Sequence, residues 1–344
     1  MSVRNWENRV RMPPLRFPAG PCAGLVLLLI ASTACAPSPQ PPAKPAAPPA
    51  GSVEPAPKAV MEASFWSQWS DGQAELSAYD LVYPRYGKPR PGTAVTIFVT
   101  EPMSLTARVK ADPGKHPDTD VFPVMKLNLI EDFATGVYDY NEATSSFLAL
   151  ASNAHQPIGT LTKVSFSSQE WCGHSWAQWI RQPKGLDYVG HSYFDGEADR
   201  AHTLDQPAGG IAEEQLFFWA RGIAEPKLLP GASVTVPFLR SLQYQRHAHR
   251  EAAWTTATLS RSASAAPGQP GVELWKAEVG GGGPTITFHV EQAVPNRILR
   301  WETSDGESAR LIKSARMKYW QMNQPGGESA LALLGLKPRP ARIP

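Results

Sequence analysis

Residues 272–318 read VELWKAEV, GGGGP, TITFHV, EQAVPN, RILRWE, TSDGES and ARLIKSARMK in succession. In Val272–Val279, Thr285–Val290, Arg297–Glu302 and Ala309–Lys318, apolar and polar side chains alternate over short runs. The separators are turn formers: Gly280–Gly283 with Pro284, Ala293 to Asn296, and Ser304-Asp305-Gly306. Period-two alternation punctuated by residues that reverse the backbone predicts antiparallel sheet. The pattern extends toward the N-terminus through Leu161–Ser168, Pro123–Leu129, Leu105–Lys110, Thr93–Thr100 (TAVTIFVT) and Gln73–Val82, the last after the turn signal Asp71-Gly72.

One segment breaks the alternation. Gly210–Gly222 (GIAEEQLFFWARG) spaces Ile211, Leu216, Trp219 and Ile223 near helical period, with Glu213 and Glu214 at the end where a helix dipole favours negative charge. Gly222 is a natural stop, and Pro226 and Pro230 forbid continuation. A second short helix is expected at Glu328–Leu334. Pro207–Gly210 reads as a hinge between an N-terminal β half, 61–206, and a C-terminal helix plus meander, 207–322, followed by a tail, 323–344. The expected fold is mainly β: a curved antiparallel sheet or half-barrel around at least one helix, or two coupled sheet halves.

The front of the chain bears on location. Arg4, Arg9, Arg11 and Arg16 precede the apolar run Ala23–Ala31, too short for a membrane span, which takes about 20 apolar residues. A basic start, a short apolar run and small residues describe an export signal over residues 1–34; Met12 would begin a more ordinary one. Residues 35–60 are rich in Pro and Ala, and proline, lacking an N–H, suits an extended tether rather than helix or sheet. Residues 1–34 hold four arginines and one glutamate, so the formal net charge of +2 becomes −1 without them. No basic face remains for nucleic acid, and no nucleic-acid partner is expected. With Cys22 removed and Cys35 at the new terminus, Cys172 is the thiol of the folded part, and no intrachain disulfide is expected there.

Glu170-Trp171-Cys172-Gly173-His174 is the sharpest chemical constellation. On one strand, Glu170, Cys172, His174 and Trp176 would share a face, and a thiol beside an imidazole and a carboxylate is the raw material of nucleophilic catalysis. Catalysis would fall to Cys172, His174 and Glu170; the bland alternative is a small packed cysteine. His247 and His249 share a face if Gln243–Arg250 is a strand, an incomplete shell for zinc; they read as surface histidines, with no metal and no cofactor expected. Asp195, Glu197, Asp199 and Asp205 read as a solvated acidic loop. The tryptophans are numerous, and Trp171, Trp176, Phe217 and Trp219 are the candidates to line an apolar ligand cavity, against a plain two-layer core.

Three resemblances add to this. Ser32-Thr33-Ala34-Cys35 resembles the lipobox of bacterial lipoproteins, with Ser32 where leucine is usual; it implies acylation of Cys35, by palmitate-type chains, and a membrane partner. Ordinary cleavage after Ala36 is the alternative. Asp71-Gly72-Gln73-Ala74-Glu75, Arg85-Tyr86-Gly87, Val99-Thr100-Glu101 and Ser168 to His174 are similar to an uncharacterised family of exported bacterial proteins, some labelled "septum formation inhibitor", which implies no activity. The order of elements over roughly 205–320 resembles the half-barrels of periplasmic lipoprotein carriers, in which a curved sheet wraps a helix and leaves an apolar concavity. The combined expectation is a non-enzymatic lipoprotein of the bacterial envelope, at the outer membrane facing the periplasm or else secreted. It would bind an apolar ligand such as lipid. A thiol-dependent hydrolase or transferase, or a structural protein without a small ligand, is the alternative.

Overall fold

A computed structural model describes residues 61–338. The signal, Cys22, Cys35 and the tether lie outside the described residues. Eight strands run outward in sequence: β1 (Ala74–Arg85), β2 (Lys88–Ser104), β3 (Val121–Ala134), β4 (Asp139–Ala149), β5 (Leu161–Glu170), β6 (Gly173–Gln182), β7 (Gly185–Ser192) and β8 (Arg200–Asp205). Seven more return: β9 (Ile211–Ala212), β10 (Ser233–Leu239), β11 (Trp254–Arg261), β12 (Val272–Val279), β13 (Thr285–Glu291), β14 (Ile298–Thr303) and β15 (Ser308–Met317). All belong to one sheet, in the order β8 to β1 and then β15 to β9, closed at its centre by the antiparallel β1–β15 pair. The expected N-terminal half and C-terminal meander are thus the two wings of a continuous sheet.

Chain length fixes its curvature. Fifteen strands at about 4.8 Å each would make a flat sheet roughly 70 Å wide. Yet β8 and β9, at opposite ends of the order, are joined by residues 206–210 alone, which reach at most about 20 Å. The two edges must therefore meet, and the sheet curls into an open barrel. The seam is held by side chains: Trp254 Nε1 on β11 donates to the Asp205 carbonyl at 2.7 Å, and Gln206 Nε2 donates to the Gly210 carbonyl at 3.0 Å.

Local chemistry sets the hairpins. Tyr86 and Gly87 both have positive φ (55° and 68°), the requirement of a two-residue turn that matches strand twist, and they close the β1–β2 hairpin between the Arg85↔Lys88 pair. A tyrosine is held in this conformation by Arg85 over its ring at 4.6 Å and by its hydroxyl 2.6 Å from that of Tyr140. At Gly92, a Cβ would lie 2.8 Å from Phe133 Cβ and closer still to the Asp132 carbonyl, so only glycine lets β2 and β3 approach.

Among the described residues three α-helices complete the fold: α1 (Ala63–Trp69), α2 (Leu216–Ala220) and α3 (Leu242–His247). The predicted helix over Gly210–Gly222 is shorter than expected. Ile211–Ala212 pair in parallel with Phe238–Leu239, Glu213–Gln215 form a 3-10 turn, and the α-helix begins at Leu216. Tertiary pairing overrides local propensity here. Gly222, φ 69°, ends the segment as expected. The short helix expected at Glu328–Leu334 is a 3-10 helix over Gly327–Leu334. Inside the barrel α2 is aromatic on every side. Phe218 meets Phe98 at 5.7 Å, Phe217 meets Phe288 and Trp301 at 5.2 Å, and Trp219 meets Trp275 at 4.8 Å, each edge to face. Just after α2, Arg221 makes a buried bidentate pair with Glu75 of β1, at 2.7 and 3.1 Å, and lies over Phe98 at 4.4 Å. The lumen is packed around α2 apart from a small cavity beside Phe217.

Gln243–Arg250, read as a strand, is α3 followed by a left-handed residue, His249 (φ 51°). Ser241 Oγ accepts from the Tyr244 amide at 3.1 Å and starts this helix, a cap signal that alternation of histidine and arginine obscured.

Candidate functional site

Strand parity places polar side chains in the lumen. On β3 the inward series includes Met125, Leu127, Leu129, Glu131 and Phe133; on β4 it is Tyr140, Glu142, Thr144, Ser146 and Leu148. The register sets Glu131 directly opposite Glu142, Glu142 opposite Ser168 of β5, and Ser168 opposite Ser175 of β6. All four are buried, so a polar row crosses four strands at one level of the core. Helix α3 docks its polar side chains onto that row. Gln243 Nε2 donates to Glu131 Oε2 at 2.7 Å and to Glu142 Oε2 at 2.8 Å. One turn on, His247 Nε2 lies 2.7 Å from Glu142 Oε1, and Arg246 Nε donates to Ser175 Oγ at 3.1 Å. Ser168 Oγ donates to Glu142 Oε1 at 2.8 Å, and the Tyr83 hydroxyl is 2.8 Å from His247 Nδ1.

Two like charges facing each other in a buried cross-strand pair cannot both persist. The environment decides which keeps its proton. Burial alone would raise the Glu142 carboxyl, but His247, Gln243 and Ser168 outweigh it and hold Glu142 below the usual range. Glu131 has only Gln243 to offset burial and the charges of Glu307 and Glu142, and it sits well above the usual range. Glu142 is the anion and Glu131 the acid. The Tyr83 phenol is also raised well above its ordinary value, by burial and then by Glu142, so it stays neutral beside His247.

Glu131 also faces a cavity of about 70 Å³. One wall is apolar: Leu127, Leu129, Leu216, Phe217, Ile286, Phe288 and Trp301. The other carries Glu131, Glu213, Glu214 and Glu307, with Thr144, Ser146, Ser241, Gln243 and Thr303; among the described residues no lysine, arginine or histidine lines it. Burial pushes Glu214 up to about 8, offset in part by the Leu242 amide, which donates to its Oε1 at 2.8 Å. Its other oxygen, Oε2, is buried without a hydrogen-bond donor among the described residues. Burial pushes Glu307 up to about 7 against the indole N–H of Trp301, which donates to it at 2.6 Å. Glu213 is paired with Arg240.

The residues singled out from sequence lie apart from this cavity, with one exception. Glu170 ends β5, Trp171 and Cys172 are the two-residue turn, and Gly173 and His174 begin β6, so the expected single strand through Glu170–His174 is a hairpin tip. Cys172 is exposed, and its thiol is raised above the ordinary value by a hydrogen bond to Glu170 and by that residue's charge. This is the reverse of thiolate activation. Trp171 is exposed in the same turn, stacked on Tyr138 at 6.3 Å. Trp176 borders a separate polar cleft of about 450 Å³ with Tyr188, Arg200 and Arg246. There the acidic loop is solvated as expected, with Asp195, Asp199 and Asp205 exposed, while Glu197 meets Arg246 and His249, and Asp199 meets His191. Trp219 is fully buried, its indole N–H donating to the Pro226 carbonyl at 3.0 Å. Phe217 alone of the four proposed ligand residues lines the carboxyl cavity. His247, read as a surface residue, is the partner of Glu142. Glu131 and Glu142 were missed, although each interrupts the inward phase of an alternating strand with a charge.

No protein-family model and no curated protein matches this sequence. Among solved structures it is similar to a "Beta-barrel-like Protein of Domain of Unknown Function DUF1849 from Brucella abortus", at 10% identity and a TM-score of 0.38, over 72% of this chain and 99% of that one. Nothing about the site follows from that likeness.

Proposed function

We propose that this chain is an envelope-tethered, non-enzymatic binding protein whose lumen receives a small amphiphile. The observation that carries this reading is the cavity, which sets Phe217, Phe288 and Trp301 opposite four carboxyls, two of them buried (Glu131 and Glu214), one with an oxygen that no described protein group satisfies. Ligand sites pair an apolar wall with a few convergent polar groups in this way. The available volume narrows the expectation of a bound lipid. A cavity of about 150 Å³ holds one benzene, so the 70 Å³ here suits a short end-group and not an acyl chain.

Space also argues against hydrolysis at Glu131 and Glu142. Both accept from the one Gln243 nitrogen, so an acid and a base stand close together, the arrangement of a general acid–base pair. Both are sealed under α3, and the adjoining cavity is too small for a sugar ring or a peptide unit. The relay Tyr83–His247–Glu142 instead pins α3, and with it Gln243 and the cavity wall. Tethering through an acylated Cys35 accounts for the proline-rich segment that follows it.

The test is calorimetric titration of the mature chain with three short probes, n-propylammonium, n-propanol and propionate, while Trp301 reports through its fluorescence. Binding of at least one probe, lost or weakened in Phe217→Trp, which fills the cavity, is the expected result. Failure of all three to bind removes the reading.

A further inference from the structure

We propose that the luminal cavity selects an alkylammonium group, which enters in exchange for protons held by the cavity's own carboxyls. This deepens the reading above and rests on it.

The lining chooses the sign of the head group. Four carboxyl side chains border the cavity, and no basic residue does among those described. An anionic head would add a like charge to a site that already avoids ionising its own, and is disfavoured. A neutral hydroxyl can satisfy one acceptor; an ammonium brings three N–H donors to a surface of acceptors. The Glu214 carboxyl is such a group: its Oε2 is buried with no hydrogen-bond partner among the described residues, and leaving it so is unfavourable until a ligand supplies one. The apolar wall suits the same ligand. Phe217 packs edge to face on both Phe288 and Trp301 with centroids 5.2 Å away, and aromatic faces attract cations.

Charge balance makes binding proton-linked. The groups facing the cavity are Glu131 on β3, with Glu142 opposite it on β4; Glu213 and Glu214 ahead of α2; and Glu307 between β14 and β15. Asp305 adds a further negative charge near Glu307, and Asp132 one near Glu131. The basic side chains nearby are already engaged, Arg240 by Glu213 and His247 by Glu142. Without ligand, Glu131, Glu214 and Glu307 hold protons well past the usual carboxylate range. An ammonium stabilises their ionised forms, so its N⁺ replaces one or more O–H protons, which leave to solvent. No covalent bond changes other than O–H dissociation. The linkage then has a fixed sign: affinity rises with pH from about 6 to 8, as proton release becomes easier.

The experiment uses the same mature chain and probes, titrated at pH 6 and pH 8 in two buffers of different ionisation enthalpy. Expected at pH 8 is n-propylammonium binding at least tenfold tighter than n-propanol, with propionate undetected. Its observed enthalpy should depend on the buffer, and its affinity should be at least tenfold weaker at pH 6. Glu214→Gln keeps an oxygen for the Leu242 amide and should lower ammonium affinity at least tenfold while leaving n-propanol within twofold. Glu307→Gln, on a different element, serves the same purpose if the first variant does not fold. Equal affinity for ammonium and alcohol, or ammonium binding with no buffer dependence, overturns the inference and leaves luminal binding standing. Absence of binding by every probe overturns both.

Discussion

Glu131 and Glu142 oppose each other across β3 and β4, and replacing each by glutamine, one at a time, should give unlike results. Glu142 accepts from His247 and Ser168 on one oxygen and from Gln243 on the other. In Glu142→Gln, one of these oxygens becomes an NH₂. Whichever way the amide turns, a donor meets a donor, a bond to a charged acceptor is lost and a buried donor goes unpaired. Taking about 1.5–3 kcal/mol for the bond and about 1–3 for the unpaired group, the loss is roughly 4 kcal/mol, in the range for removing one partner of a buried ion pair. Glu131 is already neutral, and glutamine keeps the oxygen that Gln243 needs. Glu131→Gln should fall within about 0.5 kcal/mol of the parent at pH 5, and should equal or exceed its stability at pH 8, where holding the parent's proton becomes harder. Urea unfolding followed by tryptophan fluorescence, at both pH values with the slope checked for constancy, measures this directly. Comparable losses from the two substitutions at pH 5 would refute the assignment of the proton to Glu131.

Other expectations follow from the same physics. Glu214 and Glu307 have folded values raised to about 8 and about 7, so the unfolded chain binds fewer protons between pH 4.5 and those values. Their contribution is fully present below about pH 4.5 and is lost as pH rises through 7 to 8, a fall of about 6 kcal/mol between pH 5 and 8 for the two groups together, which thermal unfolding across that window would show or exclude. Trp219→Ala removes a fully buried indole and its hydrogen bond to Pro226, and should destabilise by about 3–5 kcal/mol. Trp171→Ala, in the exposed turn, should change stability by less than about 0.5 kcal/mol in the same assay. Gly92→Ala forces β2 away from the Asp132 carbonyl, and a loss of about 1–3 kcal/mol in chemical denaturation is expected. For the tether, a Cys35→Ser precursor should leave the membrane fraction; its retention there would count against acylation.

The strands that were legible, β1–β3, β5 and β12–β15, give a local signal, whereas Leu105–Lys110, expected as a strand, lies in the turns after β2. Alternation in 272–318 and turn formers such as Ser304-Asp305-Gly306 mark β13, β14 and β15 with no knowledge of the rest of the chain. The hairpin tip at Trp171-Cys172 was not, since the run from Ser168 to His174 carries no strong turn residue except Gly173. The Ser241 cap of α3 was present in the sequence but competed with an alternating His/Arg pattern. Glu131 and Glu142 each showed as a charge in an apolar phase, yet nothing in either strand says that they face each other.

By itself, then, the sequence determined the sheet, its antiparallel sense, and the basic, apolar and proline-rich order of its first 60 residues, all properties of neighbours along the chain. Tertiary structure alone decided the rest. Five residues between β8 and β9 bend fifteen strands into an open barrel, because a short connection cannot span a flat sheet. That closure brings residues more than a hundred positions apart, Glu131 and Glu142 with Gln243 and His247, into a space where water is scarce. Only there does one carboxyl become an anion and its neighbour an acid, since the state of a buried charge depends on what surrounds it rather than on what precedes it.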